Sequence, residues 1–324
     1  MRKILILILL LFAFKGVYCQ DPQFSQFYSN PLYLGPSFAG AVEGSRICLV
    51  YRDQWWEAAS PFRVYSFSYD HYFSTFNSGV GILVYQDVAG TSKLGSLNIG
   101  ISYSYNFKIF NVWHVRPGLS FSYVEHGFFG DLRFMDDIIG SNPDGSTAAP
   151  DQSRQKSRDI DVGTSALVYT KKFWIGATAD HLLTPNISLY ATESKIDIKY
   201  SFYGGYEFRR KGKLLKPSDE TMTFAFMYKN QKSIQQLDLG VYWYNYPIVL
   251  GIWYRGIPLV NSHRGDAMVF LVGIKTRQLN IGYSYDFTIS NLLSDVRGSH
   301  EVTLTYKFLL PKRSKKGRVP CPEL

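Results

Sequence analysis

Along most of the chain, apolar and polar residues alternate with a period of two. In Leu279–Phe287, LNIGYSYDF, one face of an extended strand carries Leu279, Ile281, Tyr283, Tyr285 and Phe287, and the other carries Asn280, Gly282, Ser284 and Asp286. Leu97–Phe107, LNIGISYSYNF, repeats the phrase. Further on, Val302, Leu304, Tyr306 and Phe308 oppose Glu301, Thr303, Thr305 and Lys307, while Ile196, Ile198, Tyr200 and Phe202 oppose Asp197, Lys199 and Ser201. The intervals between copies are irregular, so they share a strand grammar and not a solenoid repeat.

Counting such segments predicts fourteen strands, near 45–55, 61–72, 78–89, 94–107, 112–126, 160–170, 172–183, 195–209, 219–230, 234–246, 248–256, 264–275, 278–288 and 299–309. Each is near or above the ~9–11 residues that a tilted strand needs to cross a bilayer. A two-sheet sandwich would give the same alternation, but its strands run to about five or six residues. Many tyrosines lie near strand ends, where a ring stays in hydrocarbon while its hydroxyl reaches water. Length and tyrosine placement favour an all-β fold: a closed antiparallel transmembrane outer-membrane β-barrel of about 14 strands over 45–310. An even count puts both termini on the periplasmic side. Connections after odd strands then face outward and are expected to be the longer set. The longest, 127–159, falls there, as do 184–194, 257–263 and 289–298. Inner turns shrink to a few residues, as around Pro247, with 210–219 as the exception.

The ends differ from the body. Residues 1–19 have Arg2 and Lys3, an apolar core from Ile4 to Phe14 and a neutral stretch before Gln20: a secretory signal peptide cleaved near Cys19/Gln20. A lipoprotein role for Cys19 is disfavoured by the bulk of Tyr18. Cys48 and Cys321 make neither a disulfide framework nor a metal site and are expected unpaired. Residues 20–44, with several prolines and aromatics, predict an irregular segment, either periplasmic or tucked into the lumen as a plug. Its Phe24, Phe27, Tyr28, Tyr33 and Phe38 need burial or a partner. The tail 311–324 is basic, through Lys312, Arg313, Lys315, Lys316 and Arg318. The formal net charge of +9 comes largely from these ends: removing three charges with the signal and a net four with the tail leaves about +2. A nearly neutral body does not call for nucleic acid.

Candidate chemistry is sparse. His71, His114, His126, His181, His263 and His300 stand singly, with no HExxH or GxSxG pattern. Asp180 and His181 adjoin along a predicted strand, so they are expected on opposite faces. No catalytic, metal or cofactor residues, no cofactor and no small-molecule substrate are expected, and the chain does not read as an enzyme. Arg52, Asp70, Asp180, Lys199, Glu207, Asp238 and Asp286 fall on the polar face, where lipid contact would be prohibitive; they predict a hydrated or cross-paired interior, or a selectivity filter. In 127–159, Asp131, Asp136, Asp137, Asp144 and Asp151 lack EF-hand spacing, leaving solvated charge or calcium binding open. Phe128, Phe129, Phe134, Met135, Ile138 and Ile139 in the same loop either fold over the barrel mouth or dock a partner.

Four stretches carry a family likeness: QDPQFSQFYSNPLYLGPSFAG (20–40), YRDQWW (51–56), TADHLLTPN (178–186), and LNIGYSYDFTISNLLSDVRGSHEVTLTYKF (279–308) followed by a basic tail with PCP. By these the chain resembles the PorP/SprF family of outer-membrane proteins of the type IX secretion system, over its whole mature length. Gly35 and Ser37-Phe38 depart from the commoner Asn and Ala-Tyr, and the 127–159 loop is individual. The resemblance implies a non-enzymatic outer-membrane barrel that assists export of a particular large surface protein, gliding adhesins included, or holds it at the surface. It also implies contact with the periplasmic secretion ring, and it supplies no catalytic residues. On that reading the tail and residues 20–40 touch the apparatus, and the outer loops meet the secreted partner. The competitors are a porin or FadL-like small-solute transporter and, further off, a barrel lipid hydrolase.

On the register of Leu279–Phe287, Ile281→Asp is expected to block barrel assembly and Ser284→Asp to be tolerated in a wet interior, both read by heat-modifiable migration on a gel.

Overall fold

The computed structural model describes residues 21–57, 61–90, 93–110, 112–130, 156–189, 193–211, 219–232, 234–257, 267–289 and 298–308. Fourteen strands follow one another: β1 Ser45–Gln54, β2 Phe62–Phe73, β3 Ser78–Ala89, β4 Leu94–Tyr105 (resuming as Phe107–Ile109), β5 Trp113–Phe128, β6 Lys156–Tyr169 and β7 Phe173–Asp180. The second half holds β8 Lys199–Lys211, β9 Asp219–Gln231, β10 Ile234–Asn245, β11 Ile248–Arg255, β12 Ala267–Lys275, β13 Leu279–Thr288 and β14 Ser299–Phe308. Each pairs antiparallel with the next. β14 returns to β1, with Ser45 opposite Phe308 and Arg52 opposite Glu301. The sheet therefore closes on itself, and no edge is left unpaired.

Period-two alternation sorts every strand into an inner and an outer face. Ile101 is 60% exposed on the outside, while its neighbour Ser102 is 3% exposed inside. Leu49, Phe67, Ile82, Phe121, Phe202, Phe224, Ile252, Phe270 and Ile281 lie on the same outer belt. Such a continuous apolar surface is far larger than a soluble monomer tolerates, so acyl chains cover it. Aromatic pairs sit toward both rims: Tyr51 against Tyr65 at one, with centroids 5.2 Å apart, and Tyr306 against Phe308 at the other, at 4.7 Å.

Connections after even strands are short: 74–77, 110–112, 170–172, 246–247 and 276–278, with 212–218 the longer one. Those after odd strands include 129–155, 181–198, 256–266 and 289–298. Two depart from the expected asymmetry, because β3 and β4 are joined by residues 90–93 and β9 and β10 by residues 232–233 alone. We call the end holding Ser45 and Phe308 the near end and the opposite one the far end.

Several boundaries differ from the sequence reading. The seventh strand stops at Asp180 instead of 183, and the eighth starts at Lys199 instead of 195. His181 and Thr184 adopt positive φ and Pro185 follows, which ends the ladder; a lone bridge, Asn186 to Lys195, is what persists. At the far end β5 and β6 run on to Phe128 and back from Lys156, extending a hairpin beyond the predicted limits.

A cation placed on the lipid face at mid-barrel costs about 2–4 kcal/mol. Ile101→Arg is expected to lose that much unfolding free energy in lipid, measured by denaturant titration, whereas Ile101→Leu should leave it unchanged within error.

Candidate functional site

The lumen is not empty. Residues 21–44 run through it as an irregular segment with short turns at Phe27–Ser29, Pro31–Leu34 and Pro36–Phe38. Two of these turns open on a proline, whose fixed φ suits a first helical position. Phe24, Phe27, Tyr28, Leu32, Leu34 and Phe38 are all buried. The wall around them has two characters. From β6 to β12 it is apolar and aromatic, with Leu167, Trp174, Tyr203, Met227, Tyr242, Trp253 and Leu271 facing inward. Phe27 meets Trp253 edge-on at 4.8 Å, Tyr28 meets Trp174 at 6.1 Å, and Phe38 meets Tyr203 at 5.7 Å. These large rings fit because a glycine lies under them. A Cβ on Gly240 would come 2.0 Å from the Trp253 ring, and one on Gly205 2.4 Å from Trp174.

The remaining wall, β13, β14 and β1 to β5, is mainly polar and satisfies the segment's backbone. An irregular chain in a closed space leaves N–H and C=O groups that need partners. Inward side chains supply them in three clusters. At the near end Arg46 pairs with Asp70 at 2.8 Å, and the Asp70 carboxylate accepts the Gly40 N–H at 2.8 Å. Arg116 donates to the carbonyl oxygens of Gly40 and Ala39, and the Ser104 hydroxyl donates to Ala39. Gly40 has φ +63°, and a Cβ there would lie 2.7 Å from the Gly79 backbone, so a side chain at this position would break the near clamp.

Toward the far ends of β1, β13 and β14, Glu301 accepts the backbone N–H groups of Ser25 (2.7 Å) and Gln26 (2.8 Å) and faces Arg52 at 3.3 Å. Arg52 also pairs with Asp286 at 2.9 Å, as does Arg255. The Gln26 amide donates to Ser284 and accepts from Thr303. At the far end Asp21 pairs with Lys199 at 2.5 Å and with His181 Nε2 at 3.0 Å. Lys199 reaches Asp180 at 3.1 Å, and His181 Nδ1 reaches Asp161 at 2.7 Å. The segment thus spans the lumen from Gly40 at the near end to Asp21 at the far end.

This placement changes several expectations. Asp180 and His181 were expected on opposite faces; they join one network, because His181 lies beyond the strand with φ +60° and its ring turns inward. Of the two alternatives for residues 20–44 the described part, 21–44, takes the plug, and Ser284 sits at 0% exposure under the Gln26 amide. Ser284→Asp would crowd that contact beside Asp286 and Glu301, so it is now expected to destabilise. Arg52, Asp70, Lys199 and Asp286 are cross-paired as the polar face required. Glu207 pairs with its strand neighbour Arg209, and Asp238 accepts from Gln236 and the Gly256 N–H. Phe24, Phe27, Tyr28 and Tyr33 lie within the lumen, not on the near-end surface. Cys48 is unpaired and donates to the Ser29 carbonyl. Phe128 and Phe129 are half-buried at the far rim, the Phe129 ring under Lys156 at 4.5 Å. Phe134, Met135, Ile138, Ile139, the loop aspartates and the tail cations Lys312, Arg313, Lys315, Lys316 and Arg318 lie outside the described residues. Among the described residues no three potential ligands gather to hold a metal ion.

Arg46, Arg116, Asp161 and Glu301 are further members of the clamps. Their signal is parity: Arg46 shares a face with Arg52, and Glu301 shares one with Thr303. Asp21 carries no such signal, since it belongs to no strand.

The electrostatics of the far clamp follow from its geometry. Burial disfavours the charged forms, yet the mutual attraction of Asp21, His181 and Lys199 wins. Asp21 is held well below the ordinary carboxylate range, and His181 is raised from 6.5 to about 10. With both ring nitrogens donating to carboxylates, His181 is an imidazolium and not a general base.

The family model for type IX secretion system membrane protein PorP/SprF matches residues 17–306. No curated protein matches the chain in sequence. Among solved structures it is similar to the outer-membrane protein Omp33 of Acinetobacter baumannii, at 9% identity and TM-score 0.48, covering 83% of this chain and 100% of that one. It is similar also to the P. putida toluene transporter TodX, at 9% identity and TM-score 0.47, covering 85% and 92%. The CymD monoaromatic hydrocarbon channel gives 11% identity and TM-score 0.47, covering 87% and 93%. At such identities and scores these likenesses say nothing of what this chain binds or moves.

Two outcomes test the clamps. Glu301→Ala strands two backbone donors and leaves Arg52 with Asp286 as its remaining carboxylate; losing one partner of a buried pair costs up to about 3–5 kcal/mol, read as a lower unfolding midpoint and as new protease cutting within 21–44. The His181 contribution is complete below its unfolded value of 6.5 and is lost as pH rises through about 10. Protease cutting near Asp21 should therefore rise in that upper window, and His181→Gln should remove the step.

Proposed function

The chain belongs to the PorP/SprF family of type IX secretion system membrane proteins, and from that premise we propose that it acts as a closed accessory barrel. In this role it assists export of, or retains at the surface, one large secreted protein, and contacts the periplasmic ring of the apparatus. It is a secretion-related outer-membrane barrel, and nothing in its family or fold belongs to a known enzyme class.

The observation that carries the choice over a channel is the filled lumen. A porin or small-solute transporter needs a continuous aqueous path, whereas here residues 21–44 occupy the bore and are held by three polar clusters. The apolar wall from β6 to β12 would be a poor lining for a water-filled pore and a good one for a plug. With the bore occupied, partners are left the two ends. The far end offers the long connections, 129–155 with its apolar residues foremost, to a secreted protein. The near end offers short turns and the basic tail to the apparatus. Because Phe24, Phe27, Tyr28 and Tyr33 are committed to the lumen, we assign them to closure and not to docking.

Four measurements separate the readings. In planar bilayers the purified barrel should give no stepwise conductance; steady channels would favour the porin. Solubilised gently from native membranes, it should bring down one large surface protein. Deleting residues 131–155 should leave migration heat-modifiable while that protein is lost from the cell surface, and unchanged display would remove the loop from the role. Removing 312–324 should spare the barrel and weaken recovery of ring components.

A further inference from the structure

Almost every cation facing the lumen is matched by a carboxylate or by carbonyl oxygens. Lys229, on the inner face of β9, is not. Among the described residues it makes no hydrogen bond or ion pair, and its ammonium lies 5.8 Å from the centre of the Phe27 ring. It opens into a cavity of about 50 Å³ at the far end. Four lining residues, Asp180, Lys199, Gln231 and Ile234, are the last or first residues of their strands, which places the cavity directly under the far mouth. Phe24, Phe27, Met227 and Ile234 give it apolar sides. Lys199, the other cation on its wall, is already shared between Asp21 and Asp180.

An ammonium in such surroundings has lost part of its water, and the one carboxylate attracting it, Asp238 on the next strand, forms no ion pair with it among the described residues, which is costly. An anion entering from the mouth would recover that cost, and an apolar stem would lie against the ring and aliphatic walls. The volume sets the size of the head. One water takes about 10–15 Å³ of such volume, so the space, good for a few waters, admits a carboxylate and a short chain.

We infer that this cavity is a ligand site, independent of the secretion role, for a monoanionic amphiphile: a carboxylate on a short apolar chain, with Lys229 as its counterion and Phe27 against its stem.

The probe is hexanoate carrying a ¹³C carboxyl, added to the full barrel in lipid nanodiscs. A saturable shift of the carboxyl resonance is expected, weakened at least about tenfold in Lys229→Met, a loss of ~1.4 kcal/mol, and largely kept in Lys229→Arg. Hexanol should not compete, since it lacks the charge. If inorganic phosphate competes as well as hexanoate, the site reads anions without a stem and the assignment falls. It falls too if Lys229→Met binds as wild type or if no saturation is reached. A reading on the unaltered protein guards against a variant that fails to fold: hexanoate, and not hexanol, should slow acetylation of Lys229 by acetic anhydride, followed by mass spectrometry. Equal acetylation with and without hexanoate would overturn the site.

Discussion

The constraint beneath everything else is that a sheet in hydrocarbon must satisfy its own backbone, so it closes, and closure forces each side chain to choose lipid or lumen. Once β14 pairs with β1, the period of two leaves no third option. Ile281 goes to the acyl chains and Ser284 to the interior because they differ in parity. The charged residues follow the same rule. Arg52, Asp70 and Asp286 cannot face lipid, and inside the bore they must find one another or something else to bind.

What they find is a stretch of chain with no regular structure of its own. A segment without ladder or helix carries a load of unpaired amide groups, and in most proteins water satisfies them. Here the barrel wall does. Glu301 takes two consecutive N–H groups, Asp70 takes a third, and Arg116 takes two carbonyl oxygens. The other half of the wall supplies rings, and the segment turns Phe27, Tyr28 and Phe38 toward them. The bore is a protein core in the ordinary sense, apolar on one side and hydrogen-bonded on the other, wrapped in a sheet whose outside is also apolar.

That double-sidedness explains how far the sequence could be read. Strand existence, the even count and the inward position of Arg52, Asp70 and Asp286 were legible because alternation over ten residues is a strong signal. The filled lumen was legible only in part. In IVLGIWYR and AMVFLVGIK both faces are apolar, Val249, Trp253, Val269 and Leu271 pointing in while Ile252 and Phe270 point out. Such runs resemble strands buried on both sides, and that is the trace a packed bore leaves. The far clamp could not be read at all. It depends on a backbone turn at His181 and on Asp21, which lies 160 residues away in the chain, and no local pattern encodes their meeting.

Arg52 and Glu301 are register partners across the junction of the first strand and the last, and the same carboxylate grips the threaded segment. Joining the two ends of the sheet and seating the segment therefore draw on one shared group, so each makes the other more favourable. A cylinder zipped around an empty bore would leave that carboxylate without the two N–H groups it accepts, and a segment seated in an open cylinder would lose one of the clusters that hold it. The final hydrogen-bonded seam and the inserted chain are thermodynamically coupled through that one side chain.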